Sequence, residues 1–181
     1  STAAATPGLP HALRTSDVDG LGILEPGWLE WSKFMMTATA TNPGNPVARL
    51  VKSAERLDFL PFYFGPRLMA QGEHEVYCWM QELCSDYRGG LWNFYEVSNG
   101  GFYMAPASSE RFRVAVEGNG FEGELSADAA GIVATLFTLS HLCFSEVAKG
   151  DGGAALVDSF HALRAFVLTH PEAALILRAI D

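Results

Sequence analysis

The run Gly118-Asn119-Gly120-Phe121-Glu122-Gly123 has the glycine spacing of a dinucleotide-binding loop. In such a loop the helix opens within the motif, and a second parallel strand ending in an acid follows about 20 residues later. Here the pattern predicts a helix that opens only after Ser126 and leads to another helix, while Glu122 would face the pyrophosphate. We therefore predict a glycine-shaped turn that leaves a strand, and no cofactor.

Cysteine and histidine side chains offer few catalytic combinations. The five histidines show neither H-E-x-x-H nor zinc-finger spacing, so no metal site is predicted. Cys143 and His161 could meet across two packed helices, but a cysteine in apolar surroundings is usually inert. Cys78 and Cys84 point apart on a predicted helix, so no disulfide framework is expected. No catalytic residue is assigned, and a small enzyme that uses Cys143 and His161, or an Asp/His pair, stays an alternative hypothesis.

Aromatic side chains on predicted strands raise a second alternative, nucleic-acid binding. A stacking platform for single strands also needs basic surroundings, whereas the net charge here is −9. That charge repels phosphate. We favour core packing on one face of the sheet and a partner-binding surface on the other, with DNA binding as the alternative. The side chains concerned are Trp92, Phe94, Tyr95, Phe102 and Tyr103, with Arg111 and Arg113 nearby.

Composition limits the class of protein. A chain of 181 residues with 49% hydrophobic and 18% charged residues is typical of one compact domain with a substantial core. The 21 acidic residues are diluted by 12 basic ones, so the chain is a poor mimic of DNA, which carries about one charge per 1.7 Å of axis. The longest apolar stretch, near residues 129–147, contains polar residues, and no secretory signal is visible. We predict a buried helix there and a cytoplasmic protein.

The first part of the chain is predicted to be a flexible leader. Residues 1–46 hold two Pro- and Gly-punctuated segments with the composition of linkers. Between them Trp28, Trp31, Phe34 and Met35 have helical spacing. Because Met35-Met36 resembles a natural start site, we expect residues 1 to about 35 to be cloning-derived or translated from upstream.

Residues 47–181 are predicted to form a single α+β domain, in which a small three-stranded antiparallel meander packs against several helices. A short helix is expected over residues 47–55. The proline-rich stretch 59–66 is expected to be a rigid buried connector, because proline interrupts helices and sheets. An amphipathic helix is expected over residues 73–87.

The second half of the domain supplies the meander and the central helix. Asn99-Gly100 is a strong hairpin signal between the first two strands. Ser126 is expected to cap a long helix that is apolar nearly all round. The strands are predicted over residues 91–97, 101–105 and 111–117, and the last helices over 154–168 and 171–180.

Three blocks of sequence carry a resemblance to a known family. They are ERLDFLPFYFGPRLM at 55–69, GGFYMAP at 100–106 and GNGFEGELSADAAGIVATLF at 118–137. The order of these blocks, together with the ending at 170–181, makes the chain from residue 55 onward resemble the ArdB/KlcA family of antirestriction proteins. Blocks of this length are more specific than any short motif above.

The resemblance implies a compact bacterial α+β protein carried by plasmids and other mobile elements. Such proteins relieve restriction by the host's type I restriction–modification enzymes, and they are not DNA mimics. It implies a non-catalytic inhibitor whose partner is that enzyme, met directly or through its DNA complex, without a membrane or a small-molecule ligand. Our candidate interaction surface combines Arg67, Tyr103, Arg111, Arg113 and Asp128.

Overall fold

The computed structural model describes residues 44–145 and 151–181. Residues 1–43 of the predicted leader, which include its helical segment and start site, therefore lie outside the described residues. The α+β class predicted from the sequence is confirmed. The elements are β1 (Ala48–Leu50), a 3₁₀ turn (Ser53–Glu55), α1 (Arg56–Leu83), β2 (Trp92–Val97), β3 (Phe102–Pro106), β4 (Arg111–Val116), β5 (Phe121–Ser126), α2 (Ala127–Phe144), α3 (Asp151–Val167) and α4 (Ala173–Ile180).

The helix predicted over residues 47–55 is wrong, because this segment forms β1 and the 3₁₀ turn. β1 pairs antiparallel with β2, and this places Arg49 opposite Glu96. Glu96 is a buried carboxylate, and it forms an ion pair with the Arg49 guanidinium. Because a buried charge needs a partner, the extended backbone that brings Arg49 to Glu96 is favoured over a helix.

The connector predicted over residues 59–66 is helical and lies within α1. The interruption is confined to Gly65, whose φ of 75° and ψ of 156° are not helical. Pro66 then begins the second segment of α1. At this first helical position a backbone N–H would have no partner within the helix, so the N–H that proline lacks is not needed. The predicted burial is confirmed for the aromatic rings of Phe59, Tyr63 and Phe64, which pack on Phe102.

The strands form two separate sheets, and this corrects the predicted three-stranded meander. β1, β2 and β3 form one antiparallel sheet, while β4 pairs with β5 instead of β3. The outer edge of β3 is occupied by α2, since Met104 N–H donates to Thr135 Oγ1 at 3.2 Å. A Cβ added to Gly131 would lie only 2.4 Å from Met104 O, so the helix lies directly against this edge.

The glycine run at 118–123 belongs to the β4–β5 hairpin. The predicted turn is confirmed, with Gly120 at φ 70°, but the strand that follows it was not predicted. β5 buries Phe121 and Leu125 and exposes Glu122 and Glu124. Gly123 and its neighbours hide this alternation from a pattern search, because glycine has no hydrophobic side chain.

α2 is the central helix, as predicted. Its cap is confirmed, because Ser126 Oγ accepts a hydrogen bond from Ala129 N–H at 3.2 Å. Within the described part of the chain, α2 alone is long and apolar enough, by length and composition, to cross a membrane. Of its residues, 67% are buried by the surrounding helices and strands, which confirms the interpretation as a core helix.

Candidate functional site

A cluster of polar side chains, here called the Asp128 cluster, lies where the start of α2 meets the segment between α3 and α4. It consists of Tyr103, Ser126, Asp128, His170 and Glu172. Tyr103 Oη donates to Asp128 Oδ1 at 3.0 Å, and His170 Nε2 lies 3.1 Å from Asp128 Oδ2. Ser126 Oγ donates to a Glu172 carboxylate oxygen. Two of the predicted surface residues, Tyr103 and Asp128, therefore meet.

His170 uses both ring nitrogens within the protein. Glu172 N–H donates to His170 Nδ1 at 3.0 Å, so Nδ1 carries no proton. Nε2 is then the protonated nitrogen, and it donates to Asp128. The side chain of His170 is only 8% exposed. The accepting nitrogen, Nδ1, faces a backbone N–H and not the surface, and in this arrangement the histidine holds the cluster together.

Tyr103 lies beneath the surface. Its ring is stacked between Tyr95, with centroids 4.6 Å apart, and Phe166, at 5.9 Å. Burial, and then the negative charge of Asp128, raise the pKa of Tyr103, so its hydroxyl stays a neutral donor. Because the residue is 2% exposed, it positions Asp128 and does not itself contact a partner.

The two arginines predicted on β4 are exposed and already paired. Arg111 Nη2 lies 2.8 Å from Glu172 Oε1, which connects it to the Asp128 cluster. Arg113 Nη2 lies 2.8 Å from Glu122 Oε2 on β5 and makes no described contact with the cluster. Since a carboxylate neutralises each guanidinium, the β4–β5 hairpin has no uncompensated basic face for phosphate.

Arg67 stands apart from the other four predicted residues. It lies on the second segment of α1 and is exposed. Within residues 44–145 and 151–181 it makes no hydrogen bond or ion pair. The five predicted residues therefore do not form one continuous surface: three are linked through the Asp128 cluster, Arg113 lies on the neighbouring hairpin, and Arg67 is separate.

Cys143 shows no sign of activation. Cys143 is half-buried on α2, and burial raises the pKa of its thiol, which disfavours the reactive thiolate. His161 is exposed on α3, and no described contact joins it to Cys143. The structure instead brings Cys78 Sγ within 3.4 Å of His74 Nε2 on the exposed side of α1. The four-residue spacing was the signal for this pair, because such residues are neighbours on a helix.

An open cavity of about 420 Å³ lies between α1 and the segment that leads into β2. It is here called the Trp92 cavity, and its walls include Arg56, Glu73, Tyr77, Leu91 and Trp92. The sequence pattern did not predict it. Arg56 and Trp92 are 36 residues apart, and only the packing of α1 against β2 brings them together.

Hydrogen bonds and ring contacts fix the walls of the Trp92 cavity. Trp92 Nε1 donates to Tyr87 Oη at 2.7 Å, and the Tyr77 ring lies 4.9 Å from the Trp92 ring. Arg56 Nη2 donates to Trp92 O at 2.5 Å, and its guanidinium lies 4.4 Å from the centre of the Phe94 ring. The cavity thus presents a rigid aromatic wall beside a cation.

Comparison with known proteins identifies relatives over most of the chain. A family model described as "Antirestriction protein" matches residues 85–181. An antirestriction protein KlcA of Escherichia coli is 59% identical over 134 residues, covering 74% of this chain and 94% of that protein. A second KlcA of Escherichia coli is 57% identical over 141 residues, covering 77% and 96%.

A solved structure extends the comparison to the fold. It is described as showing that the KlcA and ArdB proteins have a novel fold and antirestriction activity against Type I DNA restriction systems in vivo but not in vitro. It superposes with a TM-score of 0.71 at 57% identity and covers 78% of this chain and all of that one. The chain therefore belongs to the antirestriction protein family.

Proposed function

We propose that this protein relieves DNA restriction by a type I system, and that it does so by binding, without a catalytic step of its own. The 57% identity to a structure with that activity in vivo, over the whole of that chain, supports the target. The observation that carries the non-catalytic part is His170, whose two nitrogens are both engaged within the protein. The inactive surroundings of Cys143 agree with it.

The partner is proposed to be the host type I enzyme in the bacterial cytoplasm, met directly or while it is bound to DNA. The solved relative is active in vivo but not in vitro, which supports dependence on a component or a state of the enzyme that is present in the cell. Independent binding to DNA is disfavoured by the net charge of −9 and by the carboxylates that neutralise Arg111 and Arg113.

Among the residues predicted for the interaction surface, Arg67 is proposed as a direct contact. Its charge is not used by any described neighbour, whereas Arg111 and Arg113 are ion-paired. Asp128 is half-exposed and hydrogen-bonded to Tyr103, so both are proposed to shape the surface around the start of α2.

The test is the plating of unmodified phage on a type I restricting host that expresses the protein. We expect the plating efficiency to rise, because restriction is relieved, and we expect Cys143→Ala and Cys78→Ala to relieve it as fully as the natural residues do. Unchanged restriction with a protein that is present and folded would contradict the proposed function. Loss of relief in either folded cysteine variant would instead support an enzyme.

A further inference from the structure

We propose that the Trp92 cavity is the docking site for the partner, and that its occupant is a surface segment of a protein. This segment would present a carboxylate to Arg56 and an apolar side chain to Leu91. The proposal rests on the proposed function and deepens it, because it adds a second contact to the one proposed at Arg67 and names the chemistry of the partner there.

Arg56 supplies the charge. It is half-buried, donates to Trp92 O through Nη2 and stacks over Phe94, and no described carboxylate pairs with it. By contrast, Arg111 and Arg113 both hold a carboxylate at 2.8 Å. Trp92 O takes one of the five N–H groups of the Arg56 guanidinium, and no described group accepts from the others. Such a fork favours an anion that accepts parallel hydrogen bonds, which means a carboxylate or a phosphate.

Leu91 supplies an apolar contact at the rim of the cavity. Its side chain is 84% exposed, although it directly precedes the buried Trp92. The indole is held by the hydrogen bond to Tyr87 and the contact with Tyr77, so the wall behind Leu91 is rigid. The exposed Leu91 offers apolar surface that a partner can bury, and the neighbouring Arg56 is of a residue type enriched among the residues that dominate binding energy in interfaces.

The loop that carries Leu91 favours an extended occupant. A second cavity of about 220 Å³ adjoins it, and both cavities are lined by Tyr87, Gly89, Gly90 and Leu91. A Cβ added to Gly89 or Gly90 would have nothing within 4 Å, so the backbone of the loop is bare. Two cavities that share one bare loop fit a chain segment laid across it better than a compact ligand.

The surrounding charges favour a carboxylate over a phosphate chain. Glu73 lines the Trp92 cavity, and the second cavity is lined by the carboxylates of Asp86 and Glu110 and by one cation, Arg88. A strand of nucleic acid would place a phosphate near each of these carboxylates, in a protein that already carries a net charge of −9. A protein segment needs only one anion at Arg56 and can present neutral or basic groups elsewhere.

Variants at the cavity test the site through the plating assay. We expect Arg56→Gln and Leu91→Ser each to lower the relief of restriction about tenfold, the equivalent of about 1.4 kcal/mol of binding free energy. The matched controls are Arg164→Gln, an exposed arginine with a distant 3.9 Å pairing, and Leu168→Ser, at a side chain that is 64% exposed. These should relieve restriction fully.

Thermal unfolding of each purified variant separates binding from folding. If Arg56→Gln unfolds at a lower temperature, Leu91→Ser alone decides, because its exposed side chain contributes little to stability. Full relief by a folded Leu91→Ser protein would overturn the proposal.

A titration tests peptide binding at the cavity independently of the plating assay. If the protein binds the peptide but does not relieve restriction, the proposed function is contradicted and the binding site is not. The probe is the dipeptide acetyl-Leu-Asp-amide, with acetyl-Leu-Asn-amide as control, added to isotope-labelled protein. We expect saturable NMR shifts of the Gly89 and Gly90 amides and the Trp92 indole N–H with the Asp peptide, and none in Arg56→Gln. Absence of these shifts up to the solubility limit of the peptide would overturn the site. The same shifts with a single-stranded DNA oligonucleotide would overturn the choice of a protein as occupant.

Discussion

Glu172 joins three parts of the molecule through one carboxylate. It accepts hydrogen bonds from the backbone N–H of Ser126, at 3.2 Å, and from its hydroxyl, at the point where β5 ends and α2 begins. It also pairs with Arg111 on β4. Burial opposes ionisation of this carboxyl, but the hydrogen bonds from Ser126 and Arg111 outweigh burial and lower its pKa from the ordinary 4.5. The folded state thus favours the charged form.

We expect Glu172→Gln to make the free energy of unfolding depend less on pH in the acid range. A carboxyl whose pKa is lower in the folded state than in the unfolded state stabilises the folded protein. This contribution is fully present at pH values above the unfolded pKa of 4.5, and it is lost as the pH falls through the folded pKa. The measurement is the free energy of unfolding in urea from about pH 7 to about pH 3. The natural protein should lose stability more steeply than the variant below 4.5. Parallel curves would show that Glu172 has no such role.

At the scale of elements, the contact between α2 and the edge of β3 determines how the sheets are divided. Thr135 Oγ1 accepts from Met104 N–H at 3.2 Å and donates to Gly131 O at 2.8 Å. A threonine on a helix thereby replaces the neighbouring strand that β3 would otherwise need. With α2 along this edge of β3, β4 pairs with β5 instead.

We expect Thr135→Val to lower the free energy of unfolding by about 2 kcal/mol, because it leaves the buried Met104 N–H without an acceptor. Thr138→Val is the matched control. Its hydroxyl donates only to Ala134 O, which keeps its bond within the helix, so the loss should be small. Urea unfolding measures both. Equal losses in the two variants would show that the Met104 bond contributes nothing specific.

Gly131→Ala tests the closeness of the same contact by steric means. A Cβ there would lie 2.4 Å from Met104 O and 2.5 Å from the Cα of Ala105, and backbone atoms cannot rotate away. We expect a loss of about 3 kcal/mol in unfolding free energy, despite the higher helix propensity of alanine. Gly118→Ala, where a Cβ meets nothing within 4 Å, should stay within about 0.5 kcal/mol of the natural protein. A Gly131→Ala protein as stable as this control would contradict the close approach.

At the scale of the whole molecule, we expect residues 44–181 to carry the activity. Two KlcA relatives align over 94% and 96% of their own length but only 74% and 77% of this chain, so a protein shorter than this chain has the family's full architecture. A fragment that begins at Gly44 should relieve restriction as well as the full chain in the plating assay. Loss of relief by a folded fragment would assign a role to the preceding residues.

Features that depend on neighbours in the sequence were predicted well. The Ser126 cap, the Asn99-Gly100 hairpin and the apolar helix that follows Ser126 all appear in the structure. Capping bonds, turn conformations and periodic burial join residues a few positions apart, so the local pattern determines them. The family resemblance likewise came from continuous blocks of sequence, which are recognised without any tertiary structure.

Features that depend on distant partners were decided by the tertiary structure. Thr135 lies 31 residues from Met104, and their bond assigns β4 to a second sheet. Asp128 and Tyr103 were chosen as surface residues, yet packing buries the tyrosine and leaves it as support. The Trp92 cavity brings together Arg56 and an indole 36 residues away. The sequence by itself determined the family, the α+β class and the central helix. Only the tertiary structure decided which charges are paired and which are free, because a long-range partner is chosen by packing among many chemically equivalent candidates.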